Sequence, residues 1–220
     1  MSDDLDDLIR RVDPDRWLSS RFIGDAGKRT DVIALYAYDH ELARAPRVAS
    51  NPLLGEIRLT WWREMLDEAY EGRPVRHHPT AHALADAIER RSLPRAPLEA
   101  MIDARYRELD ATPLKPKEAL RWARDTGGLA AELAATILAP GTDAGPARAA
   151  GTAWALARRA ADAPRLAGVA EKAMGGARQA VRGLSAAAFP AAAHAALAGR
   201  RRSPVADRLR TMIAVARGRI

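Results

Sequence analysis

Leu54-Gly55-Glu56-Ile57-Arg58-Leu59-Thr60-Trp61-Trp62-Arg63-Glu64 and, just upstream, Ala34-Leu35-Tyr36-Ala37-Tyr38-Asp39-His40-Glu41-Leu42-Ala43-Arg44 decide how this chain folds. In the first stretch Leu54, Ile57 and Trp61 recur at helical spacing and Met65 continues the row, while Leu59, Trp62, Leu66 and Tyr70 widen it. A helix apolar over so much of its circumference must be buried against several neighbours. Asn51-Pro52 starts it and Gly72 stops it. The second stretch reads as a helix over residues 32–45, capped by Asp31 and ended by Pro46, because proline disfavours helical dihedrals in the residue before it.

Outward from these two blocks the same punctuation continues. Asp13-Pro14-Asp15 opens a short helix over residues 16–22, broken by Gly24 and Gly27. Pro79, Pro97 and Pro116 each open another, the last running over residues 117–138. Further helices are expected over 146–162 and 166–187, a short one after Pro190, and a final one at Ser203-Pro204. Alanine and arginine are abundant and runs of β-branched residues are absent. The expectation is an all-α, single-domain bundle of about nine helices spanning residues 1–220, long enough for a substantial core.

With no cysteine there is neither a disulfide framework nor a thiolate metal site, which fits a reducing compartment. No stretch approaches the ~18 consecutive apolar residues of a spanning helix. The start, Met1-Ser2-Asp3-Asp4-Leu5-Asp6-Asp7, is acidic, unlike a signal peptide, and residues 1–12 read as a flexible acidic tail. A cytoplasmic location follows, with peripheral attachment at the inner membrane as its variant. The net charge is +7 and is concentrated at the end: residues 199–220 hold seven arginines (200, 201, 202, 208, 210, 217 and 219) against one acid, Asp207, a balance of +6. Such an end suits an anionic partner: a membrane surface, a nucleic acid or an acidic protein. Nucleic acid is not expected, because no recognition motif or aromatic platform accompanies the charge. In the final helix (residues 203–220) Val205, Leu209, Met212, Ile213 and Ala216 share one side, which is expected to pack on the bundle while the arginines face outward.

Arg29 with Ala34-Leu35-Tyr36-Ala37-Tyr38, and Arg58-x-x-Trp61-Trp62-Arg63-Glu64, resemble the squalene/phytoene synthase family, closely as far as Tyr70 and loosely beyond it through Gly127-Gly128 and Gly151-Thr152-Ala153-Trp154. The resemblance implies an isoprenoid-synthase-like helical bundle. It also implies, for the family's enzymes, head-to-head joining of prenyl diphosphates by Mg²⁺ ions held on two facing carboxylate clusters. Here Ala43-Arg44-Ala45-Pro46-Arg47 stands where the first cluster belongs, with no carboxylate, and Asp162 stands alone in the second, its partner position being Leu166. Magnesium bound through a lone carboxylate is poorly held. These losses, together with Glu41 and the basic C-terminus, are similar to the family's non-catalytic branch of respiratory complex I assembly factor-like proteins. That branch implies an accessory role beside a respiratory-complex subunit.

Two functions stay open on these residues: a non-catalytic accessory factor without a cofactor, or a prenyl diphosphate-binding transferase with an atypical site, for which Mg²⁺ would be the cofactor. Asp162 is the candidate catalytic residue. Tyr38, Arg44, Arg47 and Arg58 are the candidate substrate-binding residues, the arginines as a direct clamp on a phosphate or a prenyl lipid's headgroup. Trp61 and Trp62 are assigned to the core, and Glu41 to an ion pair with Arg58 or Arg63. His78, His82 and Asp86 lie along one helix face but span too great an axial distance for one ion, so no metal site is assigned to them.

Overall fold

A computed structural model describes residues 2–47, 51–199 and 203–220, and among them there is no strand. Eleven α-helices follow in order: α1 (Ser2–Val12), α2 (Pro14–Ser20), α3 (Ala26–Arg47), α4 (Pro52–Tyr70), α5 (Pro79–Arg91), α6 (Arg95–Tyr106), α7 (Pro116–Ala123), α8 (Leu129–Leu138), α9 (Gly145–Asp162), α10 (Ala167–Ala180) and α11 (Pro204–Arg217). One turn of π-helix, Arg124–Gly128, joins α7 to α8, so the expected long helix exists with a bulge in it. Short 3₁₀ turns, Phe189–Ala191 and Ala193–Leu197, replace the helix expected after Pro190.

The starts obey local chemistry. Asp13, Asn51 and His78 each accept a backbone N–H of the first turn, at 3.4, 3.0 and 3.2 Å, and a proline follows each of them. A capping side chain satisfies one of the N–H groups that a helix start leaves without an intrahelical partner. His78 thereby spends its Nδ1 lone pair on Thr80 and is a cap rather than a ligand.

Helix α3 is the axis of the bundle. Every residue from Asp31 to Asp39 is buried, and α1, α2, α4, α5, α6 and α8 all pack on it. Two boundaries differ from expectation. The helix begins at Ala26, so Asp31 lies inside it; that carboxylate, fully buried, accepts from Arg90 Nη2 and Arg91 Nε, both at 2.7 Å. Pro46 falls in the last turn without ending the helix, which runs to Arg47.

The acidic start also differs from a flexible tail. Residues 2–12 form α1, which buries Leu5 and Ile9 against the core. Asp6 accepts the Trp17 indole N–H at 2.9 Å and pairs with Arg21, tying α1 to α2. At the other end α11 is turned the opposite way from the expected packing. Asp207, Thr211 and Ala214 face the protein, and Val205, Leu209, Met212 and Ile213 face outward. Arg200, Arg201 and Arg202 lie outside the described residues.

Gly127, Gly128 and Gly151 let two backbones meet. A Cβ on Gly151 would strike the Gly127 carbonyl oxygen and the Ala131 methyl, and one on Gly127 would stand 2.8 Å from the Ala155 methyl. The π turn and α9 therefore touch through glycine, and this contact sets the separation of the helices that wall the cavity described below. Gly151→Ala is expected to destabilise the fold by about 1–3 kcal/mol through overpacking. Gly176→Ala, a helical position whose Cβ meets nothing within 4 Å, is expected to be stabilising by about 0.4–1 kcal/mol. Urea denaturation of the two variants measures both.

Candidate functional site

Helices α3 and α9 each present a row of side chains one turn apart: Asp39, Ala43 and Arg47 on α3, and Trp154, Arg158 and Asp162 on α9. These rows line a cavity of about 340 Å³, completed by Asp13, Arg16, Arg105, Trp122, Thr126 and Gly127. Five arginines (16, 47, 105, 158 and 159) and three aspartates (13, 39 and 162) share its wall.

At its floor Asp39 sits between two buried guanidiniums. Arg16 Nη1 donates to Asp39 Oδ2 at 2.6 Å and Arg105 Nη2 donates to Asp39 Oδ1 at 2.7 Å. Arg16 is 2% exposed and Arg105 4%. Burial acts to raise the Asp39 carboxyl, but the charges of Arg105 and Arg16 outweigh it and hold that group well below the usual carboxylate range. Asp13, half-buried, moves the other way: desolvation pushes it up against the attraction of Arg16 and Arg158. Arg16 lies over the Trp154 ring at 4.4 Å and the Tyr36 ring at 5.0 Å. Its Nε and Nη2, and Nε of Arg105, are buried without a hydrogen-bond partner. Unmade donors on buried cations are costly, so these three nitrogens are places where an acceptor would be stabilised.

Arg47 and Asp162 therefore lie on one cavity. Arg44 and Arg58 lie on another, of about 350 Å³, with Ile57, Trp61, Trp62 and His78. The four charged residues read from the sequence do not assemble into one clamp, because Arg44 and Arg47, three residues apart, leave α3 toward different clefts. Tyr38 lines neither. It is fully buried, its hydroxyl donates to the Leu98 carbonyl at 3.0 Å, and its ring meets Trp62 edge-on at 5.4 Å, so it is core. Burial raises its phenol well above the ordinary value. Glu41 takes neither Arg58 nor Arg63. It accepts from Arg44 Nη1 at 2.9 Å, while Arg63 pairs with Asp103. Trp62 is core and Trp61 is half-buried against it.

Arg16, Arg105, Arg158 and Arg159 were not singled out from the sequence. For Arg158 a signal was present, since it is spaced four residues from both Trp154 and Asp162 on α9. Arg105 carried none, because its partner Asp39 is 66 residues away.

The donor set does not fit magnesium. Positions 43–47 hold no oxygen ligand on a side chain, Asp39 is engaged by two guanidiniums, and Asp162 stands among Arg158, Arg159 and Arg165. Among the described residues no group of three or more His, Cys, Asp or Glu side chains could hold a metal ion. What this wall offers instead is directed N–H donors and positive charge for an anion.

The all-α bundle has an isoprenoid-synthase-like fold. The squalene/phytoene synthase family model matches residues 9–165, and the chain belongs to that family. A crystal structure of a dehydrosqualene synthase in complex with ligand superposes with a TM-score of 0.74 over 99% of this chain and 94% of its own, at 14% identity, a likeness of fold. The chain is 32% identical over 104 residues to the protein named NADH dehydrogenase (ubiquinone) complex I, assembly factor 6, of Bos taurus, and 31% identical over 104 residues to that of Homo sapiens. Each match covers 47% of this chain and 31% of the relative's own length.

Behind the cavity His194 is fully buried, edge-on to Trp154 at 5.1 Å, and both its ring nitrogens lack partners. Burial, with Arg16 and Arg158 nearby, pushes its pKa well below 6.5. The unfolded chain takes up a proton near pH ~6.5 that the folded chain refuses. Stability is therefore full above that pH and falls as pH drops below it, by up to about 1.4 kcal/mol per pH unit. His40 and His78, also lowered chiefly by burial, act in the same sense. Urea titrations between pH 7 and 5 should show this slope, reduced by about one proton in His194→Phe. Asp39→Asn should cost about 3–5 kcal/mol by leaving Arg16 and Arg105 without their shared counter-charge. Asp39 has a depressed pKa, so its own contribution is full above the ordinary carboxylate range near ~4 and is lost only as pH falls below it.

Proposed function

We propose that this chain is a non-catalytic member of the squalene/phytoene synthase family that serves as an accessory factor in assembling a respiratory NADH dehydrogenase complex, beside a subunit of that complex. The observation that supports this reading most is the wall of the α3–α9 cavity. Arg47 stands at the end of the α3 row where the family resemblance calls for metal-binding carboxylates, and Asp39 is consumed by two arginines. The relatives named as assembly factors point the same way. In a strain lacking the chain, native gels should show loss of the assembled, NADH-oxidising complex. Asp162→Asn should restore it as well as the wild type does, and the purified chain should form no head-to-head product from farnesyl diphosphate with Mg²⁺. Normal assembly without the chain overturns the reading, as does turnover that depends on Asp162.

A second reading has its own observation. The unpartnered N–H groups of Arg16 and Arg105, with Arg47, Arg158 and Arg159 around them, suit a diphosphate or another anionic headgroup of a prenyl lipid bound without metal. Calorimetry with geranylgeranyl diphosphate in the absence of Mg²⁺ should then show binding that weakens about tenfold in Arg47→Ala or Arg159→Ala. Binding that requires Mg²⁺, or no binding, removes it.

A further inference from the structure

Helix α11 is amphipathic and is mounted with its apolar side out. Val205 is 76% exposed, Leu209 50%, Met212 51% and Ile213 39%. At positions i, i+4, i+7 and i+8 they form one continuous stripe along the helix. The opposite side, Asp207, Thr211 and Ala214, holds the helix against α2 and the 3₁₀ turn Ala193–Leu197. Thr211 satisfies its hydroxyl on the Asp207 carbonyl at 2.9 Å, within the helix itself. In this mounting a large part of the apolar stripe stays in contact with solvent.

The charges say what could cover the stripe. On the helix circumference Arg208 borders it on one side, and Arg210 and Arg217 border it on the other. Arg208, Arg217 and Arg219 are exposed, and the one acid of the segment, Asp207, lies on the inner side, where Arg210 approaches it at 3.9 Å. A second copy of the chain docked by a two-fold axis would set these arginine shoulders near one another. A protein partner would need an apolar ridge with acids along both edges. An anionic bilayer meets the whole pattern: acyl chains accept the stripe, and phosphates meet arginines on both flanks. The row extends in sequence through Arg200, Arg201 and Arg202, which gives residues 199–220 a net charge of +6. No helix among the described residues is long and apolar enough to cross a membrane, so the attachment this helix can make is in the plane of the surface.

We propose that α11 is a membrane-surface anchor that lays Val205, Leu209, Met212 and Ile213 into the headgroup–acyl boundary of an anionic bilayer, with Arg208, Arg210 and Arg217 on its lipid phosphates. The proposal is independent of the accessory role and of what the cavity binds. Its ligand is the lipid surface rather than a free phosphate, and inorganic phosphate should not compete.

The test is flotation of the full chain with vesicles of phosphatidylcholine alone and of phosphatidylcholine mixed with phosphatidylglycerol. Partitioning should be strong on the mixed vesicles, weak on the neutral ones, and reduced at high salt. Leu209→Glu with Met212→Glu should weaken it at least tenfold. Arg208→Ala and Arg217→Ala should each weaken it about fivefold. All four side chains face solvent, so each variant should melt as the wild type does, which separates lost binding from lost folding. Failure to float with the mixed vesicles overturns the anchor. So does binding that the Leu209→Glu/Met212→Glu variant retains. A dimer in solution that the same variant dissociates, or a protein captured on the stripe without any vesicle binding, assigns the surface to that partner and likewise overturns the anchor.

Discussion

Asp39 shared by Arg16 and Arg105 is the constraint around which the rest of the structure is arranged. Two cations and one anion taken out of water carry desolvation costs that their mutual attraction only offsets with good geometry. Here the geometry is supplied from three separate helices, α2, α3 and α6, and each guanidinium has a further carboxylate: Asp13 at 3.6 Å from Arg16 and Glu108 at 2.7 Å from Arg105. Any shift of α2 or α6 along α3 would break a 2.6–2.7 Å contact and strand a buried charge. Hydrophobic packing alone tolerates small slides of one helix on another; this network does not. It therefore fixes the register of the helices that wall the cavity.

The same logic repeats at the other end of α3. Asp31 is fully buried and is clasped by Arg90 and Arg91 from the last turn of α5. The axial helix thus carries one buried carboxylate eight residues from the other, each neutralised by two arginines from elsewhere. Between the two lie Leu35, Tyr36, Ala37 and Tyr38, all part of the buried core. Aromatic and aliphatic side chains supply the bulk of the stabilisation there, and the ionic ends specify which neighbours are correct. On the facing side the glycine contact between the π turn and α9 brings Trp154 close enough to cover Arg16.

How much of this could be read from the sequence depended on the range of the interaction. Caps and proline starts are local, and Asn51, Pro79, Pro116 and Pro204 announced their helices. Asp31 misled because an aspartate before an apolar helical run is ordinarily a cap; its true partners are about sixty residues away, and no local pattern marks them. Acidic residues 3–7 suggested a tail because their charges are plain and the two anchors, Leu5 and Ile9, are few. For α11 the stripe was legible and its direction was not. Periodicity tells which side chains share a side, and only the identity of the neighbouring surface tells which side faces in. The same limit applied to the site. Arg47 and Asp162 were visible as residues at family positions, but the division of Arg44 from Arg47 between two clefts depends on α3 continuing past Pro46.

The five arginines on the cavity wall bear on what the cavity could do with an anion. Carboxylates recruit a mobile divalent cation that can follow charge as a bond to a diphosphate breaks. On the metal-free binding reading, the Arg16 guanidinium, held by Asp39 and laid over the Tyr36 and Trp154 rings, is fixed and would stabilise a bound diphosphate before ionisation as well as during it. Interactions equal in ground state and transition state raise affinity without raising turnover. On that reading an arginine-lined cavity suits retention of an anionic headgroup better than its expulsion as a leaving group. The accessory reading and the metal-free binding reading are for that reason compatible on one chain: the first concerns its surface, and the second concerns what that surface is built around.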